Sequence, residues 1–200
     1  MHSGERYILA KGNGAIFDRY KYLSTYHAME TQIERSRFIH LGDTRLLKFF
    51  TDNLDKIYCA KQHMVARFPE IANQAHFEDL NQAIMETVDD VKKQIIRMDE
   101  IYDRLGAQNK ATGCTGLAAM IEEAFTAINE QKGDRALRDM AILFYLQNME
   151  SIEVASFQVL QMMAVKMKNE EILQLLKENL DEAKDDRMLL LLITAKYVTS

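Results

Sequence analysis

The chain has 200 residues, 48% of them hydrophobic, with one Pro, eight Gly and a formal net charge of −5. This length suits one compact domain with an appendage, and the scarcity of Gly and Pro favours an all-α protein over a β-sheet protein. The acidic balance excludes a general nucleic-acid-binding protein, which is usually basic.

Neither a membrane span nor a secretory signal is predicted. The longest apolar run, residues 188–193, is far shorter than the ~18 residues that a span requires, and the first thirty residues lack the apolar core of a signal peptide. Cys59 and Cys114 show no metal-binding spacing in a chain that is large enough to fold without disulfides. The sequence therefore predicts reduced thiols in a cytoplasmic protein without membrane partners.

In chain order, residues 1–42 form an N-terminal extension that is predicted to be mostly one tyrosine-containing helix, over 15–40. The first bundle helix follows from about residue 44, with apolar side chains spaced three and four apart, and Pro69 is expected to kink or end it. A second helix with the same spacing spans 77–105 and ends at Gly106.

Three more helices complete the predicted domain of residues 43–200. A short helix spans about 117–129, a long helix capped by Asp134 reaches about residue 167, and a last helix capped by Asn169 reaches about residue 197. Four long helices and one short helix predict a four-helix bundle.

Three charged residues, Lys61, Glu153 and Arg187, fall near the centre of the apolar stripes of three different helices. A long side chain can reach water from such a position, which would explain Lys61 or Arg187 alone. Glu153 is shorter and lies mid-helix between hydrophobic residues. Because buried charges must be paired or bound to a metal, we predict that the three form one ion-pair cluster in the core.

Five segments, in order, resemble the YciE/YciF-type ferritin-like family. They span 47–75 (LKFFTDNLDKIYCAKQHMVARFPEIANQA), 94–106 (QIIRMDEIYDRLG), 114–123 (CTGLAAMIEE), 147–157 (QNMESIEVASF) and 180–184 (LDEAK). The resemblance covers residues 45–197 and implies a ferritin-like four-helix bundle. Such bundles offer carboxylates and His to a di-iron or di-manganese site.

The chain departs from the family pattern at the positions that such a metal site needs. Lys61 stands where the family has Glu, Thr87 and Ser151 where it has His, and Ala183 where it has Glu, while Arg187 falls near a further acidic position. Divalent cations in a dry core need anionic oxygens around them, and an ammonium nearby repels them. We therefore expect a former metal site that is rebuilt as the Lys61–Glu153–Arg187 cluster.

The predicted function is accordingly non-enzymatic and without a cofactor, stress-related if the chain follows the family. The alternative is an iron- or manganese-dependent oxidoreductase of ferroxidase or peroxidase type, with Glu150, Glu153, Asp90 and Glu182 as metal ligands. The chain is expected to form a homodimer or another homo-oligomer. Its aromatic N-terminal helix is expected to dock on the bundle or on a second subunit.

Overall fold

A computed structural model describes residues 42–110 and 113–199, which form five α-helices and no β-strand. In chain order these are α1 (Asp43–Ala72), α2 (Glu78–Leu105), α3 (Thr115–Glu130), α4 (Arg135–Met167) and α5 (Glu170–Val198). The predicted all-α class is confirmed. All five belong to the unit Asp43–Ser200, one of two into which the chain divides. The helix predicted over 15–40 lies outside the described residues.

The four long helices form the predicted bundle, in which neighbours contact in the cyclic order α1–α2–α5–α4, and α3 packs on α1 and α4. Each long helix contributes fully buried apolar side chains to its core, among them Phe50, Phe68, Ile84, Phe157 and Leu176. Burial of each such side chain stabilises the fold by about 1.5–3 kcal/mol. No helix in the described part of the chain is long and apolar enough to cross a membrane.

The predicted helix ends at Gly106, Asp134 and Asn169 are confirmed. Gly106 ends α2 in the left-handed conformation, with φ of 60°, which glycine adopts without steric cost. Asp134 precedes α4 and accepts hydrogen bonds from the backbone N–H groups of Ala136 and Leu137. Asn169 precedes α5 and accepts from that of Ile172. Each side chain supplies the acceptor that the first helical turn lacks.

Pro69 does not end α1, which continues to Ala72. Proline removes one backbone donor and so costs one intrahelical hydrogen bond. The last turn is kept because Ile71 and Ala72, which follow the proline, are buried, and because the Pro69 carbonyl still accepts the Asn73 N–H at 3.2 Å. Packing thus extends the helix about one turn beyond the proline.

The start of α2 is capped from another helix. Phe77 holds the N-cap position and provides no side-chain acceptor. Instead Asp139 of α4, which is wholly buried, accepts the backbone N–H groups of His76 at 2.9 Å and Phe77 at 2.7 Å. The Asp139 carboxylate therefore connects α4 to the start of α2 through charge-assisted hydrogen bonds from two backbone N–H groups.

The predicted reduced thiols are wrong, because Cys59 and Cys114 form a disulfide. Cys59 lies on α1, and Cys114 is the N-cap residue of α3. The loop between α2 and α3 returns over α1, where the Lys110 N–H donates to the Asp55 carboxylate at 3.2 Å. Two cysteines that are 55 residues apart in the sequence thereby come to a Cα–Cα distance of 5.8 Å.

Candidate functional site

A charged side chain lies at the centre of the bundle. Lys61 of α1 has no exposed surface, and its Nζ atom donates to a Glu153 carboxylate oxygen of α4 at 2.6 Å. It also donates to the side-chain carbonyl oxygen of Gln94 on α2. The Phe157 ring lies 5.2 Å from Nζ, within range of a cation–π interaction. The Lys61 ammonium of α1 is thus contacted by residues of two other helices, α2 and α4.

Two further acidic side chains surround this pair. Glu150 lies one turn before Glu153 on α4 and is 1% exposed, and Asp186 of α5 is 5% exposed. Thr87 of α2 hydrogen-bonds to Asp186. All four long helices therefore contribute to one buried centre, which we call the Lys61 centre: Lys61, Thr87, Gln94, Glu150, Glu153 and Asp186.

Burial is the main influence on the two added carboxyls. Loss of hydration raises the pKa of Glu150 well above its ordinary value, and the charges of Glu153 and Asp186 raise it further. Burial, followed by the charges of Asp90 and Glu153, likewise raises the pKa of Asp186 to about 7. The nearby Lys61 ammonium opposes both shifts, but desolvation of a carboxylate is the larger effect.

These shifts leave the centre nearly balanced in charge. One ammonium faces one carboxylate at 2.6 Å, while the raised pKa of Glu150 favours its neutral form and Asp186, with a pKa of about 7, is about half protonated near neutral pH. A low-dielectric core disfavours net charge. The Lys61 centre therefore contains its own counter-ion and needs none from solution.

Arg187 is not a member of this centre, which corrects the predicted three-residue cluster. Its side chain is exposed, and the adjacent Asp186 is the residue that points inward. Along α5, Leu180 is buried beside a series of buried positions that alternate by four and three residues: Ile172, Leu176, Asn179, Ala183, Asp186, Leu190 and Ile193. That unbroken alternation is the sequence signal that separates Asp186 from Arg187.

The four carboxylates of the metal-dependent alternative do not converge either. Asp90 is partly exposed and bound to Lys93 at 2.7 Å. Glu182 forms a bidentate pair with Arg97, with both distances at 2.7 Å. Only Glu150 and Glu153 of that predicted set lie in the core.

The site residues do not fit the pair of metal ions that the ferritin-like fold implies. The carboxyl oxygens of Glu150 and one oxygen of Asp186 have no hydrogen-bond partner among the described residues, which is a feature that a cation could satisfy. However, the Lys61 ammonium lies in the same buried cluster, 2.6 Å from the Glu153 carboxylate. A divalent ion about 4 Å from an ammonium is repelled by several kcal/mol even at an effective dielectric of about 20.

Comparisons with known proteins agree with this architecture. The sequence model of a family described as "Domain of unknown function (DUF892)" matches residues 45–199. Protein YciF of Escherichia coli strain K12 is 28% identical over 136 residues, which cover 68% of this chain and 81% of that protein.

Two solved structures are also similar. The stress protein YciF of E. coli superposes with a TM-score of 0.73 and 25% identity, covering 78% of this chain and 98% of that one. A protein named YcfI from Rhodopseudomonas palustris, described as a candidate structural protein, superposes with a TM-score of 0.70 and 27% identity. That match covers 76% of this chain and 97% of the other.

Proposed function

The chain belongs to the DUF892 family, and we propose that it is a non-catalytic structural or stress-related bundle protein in which Lys61 replaces core metal ions. The relatives named as a stress protein and a candidate structural protein support this general role. The resemblance to ferritin-like proteins supplies the expectation of a metal centre, and the buried ammonium argues against it.

The observation that carries the proposal is the position of Lys61. Its Nζ atom has no access to solvent and contacts Glu153 and Gln94 directly. A side chain held by contacts of this kind cannot withdraw to admit a cation without stranding its own charge. The Lys61 ammonium therefore supplies a fixed positive charge to the acidic side chains, which a bound metal ion would otherwise have to supply.

Metal analysis of the purified full-length chain tests this proposal. Protein from cells grown with added iron and manganese is expected to carry neither metal in stoichiometric amount. Lys61→Glu restores an acidic centre and is expected to take up metal, while Lys61→Gln, which removes the charge without adding a carboxylate, serves as the matched control. Thermal unfolding with and without added Mn²⁺ shows whether the restored site stabilises the fold.

The alternative function is a single-metal oxidoreductase, and the unpartnered carboxyl oxygens of Glu150 favour it. Stoichiometric iron or manganese in the unmodified protein, lost in Glu150→Gln, would overturn the non-catalytic proposal. This variant is the suitable one because it preserves the shape of the side chain and leaves the Lys61–Glu153 pair intact.

Self-association is part of the same proposal. The outward faces of α4 and α5 carry exposed apolar side chains, with Phe144 65%, Met162 71% and Leu192 61% exposed. Phe144 also lines a groove with Thr194 of α5. Burial of such a face between copies would stabilise a homo-oligomer. In sedimentation experiments Phe144→Glu should shift the chain toward monomer. Ile96→Glu, at an exposed position of α2, is the matched control and should leave the oligomeric state unchanged.

A cytoplasmic location stays a prediction, and part of its basis is now removed. It depended in part on reduced cysteines, whereas Cys59 and Cys114 are bonded, and stable disulfides are typical of oxidising compartments. Immunoblotting of cell fractions, in parallel with alkylation of free thiols, measures the compartment and the state of the cysteines together.

A further inference from the structure

A second group of chemically active side chains lies apart from the Lys61 centre, at the junction of α1 and α3. It consists of Cys59, His63 and Cys114, whose ligand atoms all lie within 4.8 Å of one another. Cys59 and His63 are four residues apart on α1 and therefore lie on one face of that helix. Cys114 reaches the same face from the N-cap position of α3. The two sulfurs are buried, and His63 is exposed.

These three residues have the donor atoms that zinc prefers. Zinc binds thiolate sulfur at about 2.3 Å and imidazole nitrogen at about 2.0–2.1 Å in a tetrahedron. Those bond lengths place the ligand atoms roughly 3.5–3.8 Å apart. Reduction must therefore first let the two bonded sulfurs separate, after which the His63 nitrogen, within 4.8 Å of both, needs only a small shift. Soft sulfur ligands also disfavour Mn²⁺, which prefers oxygen.

The disulfide prevents these residues from binding a metal ion. While the two sulfurs are bonded to each other, neither is available as a thiolate. A dithiol reductant that donates two electrons and two protons breaks the S–S bond, yields two thiols and is itself oxidised to a disulfide. Metal binding then displaces the two thiol protons, because the thiolate is the ligand.

Contacts other than the disulfide hold the two cysteines together. The buried Asp55 carboxylate accepts the Tyr102 hydroxyl at 2.7 Å as well as the Lys110 N–H, so the loop before α3 stays tied to α1. Ala60 forms one buried cluster with the two cysteines, and Leu117 and Ala118 pack against that cluster. Reduction therefore leaves the thiols close to each other and to His63.

We propose that the reduced protein binds Zn²⁺ through Cys59, Cys114 and His63, and that an external disulfide releases the metal. That disulfide accepts two electrons from the two thiolates and two protons from water, leaves as two thiols, and so restores the Cys59–Cys114 bond. The exposed side of His63 leaves the fourth position open to water or to another ligand. Metal occupancy would then report the redox state of the surroundings, independently of the Lys61 centre.

Cobalt binding to the full-length chain, prepared without an affinity tag, tests this proposal. Co²⁺ substitutes for Zn²⁺ and gives a thiolate-to-metal charge-transfer band. The band is expected in protein reduced by a phosphine that is removed before metal is added, and is expected to disappear when Zn²⁺ is added. It should be absent from the oxidised protein and from Cys114→Ser. A reduced protein without the band, or an oxidised protein with it, would overturn the proposal.

His63 supplies the decisive variant because it is exposed and its removal leaves the bundle core unchanged. His63→Ala should weaken Co²⁺ binding by at least about tenfold, since a three-ligand site becomes a two-ligand site. His76→Ala removes another exposed histidine and should leave the affinity unchanged. Equal affinities of the two variants would exclude His63 as a ligand and contradict the proposed site.

Discussion

The Lys61 ammonium and the Glu153 carboxylate lie 2.6 Å apart with almost no access to water, and they join α1 to α4 across the bundle core. In such a pair the cost of desolvating both charges nearly offsets their attraction. Loss of one partner is therefore expected to be much more harmful than replacement of both.

Glu153→Ala should lower the free energy of unfolding by about 3–5 kcal/mol, because it removes the carboxylate that contacts the buried Lys61 ammonium at 2.6 Å. The double variant Lys61→Met, Glu153→Leu should retain most of the stability, since two apolar side chains of similar volume replace the pair. Urea denaturation measures both. Lys48→Ala removes an exposed pair with Asp52 and should change little. If the double variant is unfolded while Glu153→Ala remains stable, the measurements contradict this account.

Asp186 should make stability depend on pH. Its pKa is raised from 3.8 in the unfolded chain to about 7 in the folded protein, so the folded state binds the proton more tightly. The stabilising contribution is complete below about pH 4 and is lost as the pH rises through about 7.

Asp186→Asn removes this dependence. Relative to the unmodified protein, the variant should gain about 2.5 kcal/mol of stability as the pH rises from about 5 to about 8. Chemical denaturation at both pH values measures the difference, and Asp185→Asn, at an exposed neighbouring position, is the control. An Asp186→Asn difference that stays constant with pH would show that Asp186 does not titrate in this range.

Reduction of the Cys59–Cys114 bond should destabilise the protein in the absence of metal. The bond spans 55 residues, and closing a loop of this length restricts the unfolded chain by up to about 4 kcal/mol. The denaturation midpoint should therefore fall when a reductant is added to metal-free buffer. The double variant Cys59→Ser, Cys114→Ser should be insensitive to the reductant, and an unchanged midpoint in the unmodified protein would show that the bond does not contribute.

Asp139→Ala should cost about 2–3 kcal/mol, because the backbone N–H groups of His76 and Phe77 lose a buried, charged acceptor. Asp139→Asn keeps one carbonyl oxygen and should lose less. The free energy of unfolding, together with amide exchange at the first turn of α2, measures both effects. Exchange that is no faster in Asp139→Ala would indicate that water or another group replaces the carboxylate.

The charged residues of the core show what the hydrophobic spacing of a single helix can predict and where it fails. Lys61 and Glu153 were predicted to be buried because each sits at the centre of an apolar stripe, which is a property of one helix at a time. Arg187 was assigned by the same reasoning and was wrong, because the step after Ala183 is three residues and leads to Asp186. Adjacent residues on a helix point in different directions, so a shift of one residue in the buried pattern places Asp186 rather than Arg187 in the core.

The cysteines and Asp139 illustrate what no local pattern contains. The bond between Cys59 and Cys114 depends on the path of the loop before α3, and the cap on α2 comes from α4, more than sixty residues further along the chain. Both contacts arise when distant segments pack together, so the spacing of the residues in the sequence does not reveal them.

The sequence by itself determined the five helices that follow residue 42, most of their ends, the bundle class and the presence of charge in the core, because hydrophobic periodicity and capping act within a few residues. Only the tertiary structure decided which charges meet. The Lys61–Glu153 contact, the inward position of Asp186 and the meeting of Cys59, His63 and Cys114 depend on how the helices are rotated and placed against one another. That arrangement follows from packing of the whole core rather than from any one segment.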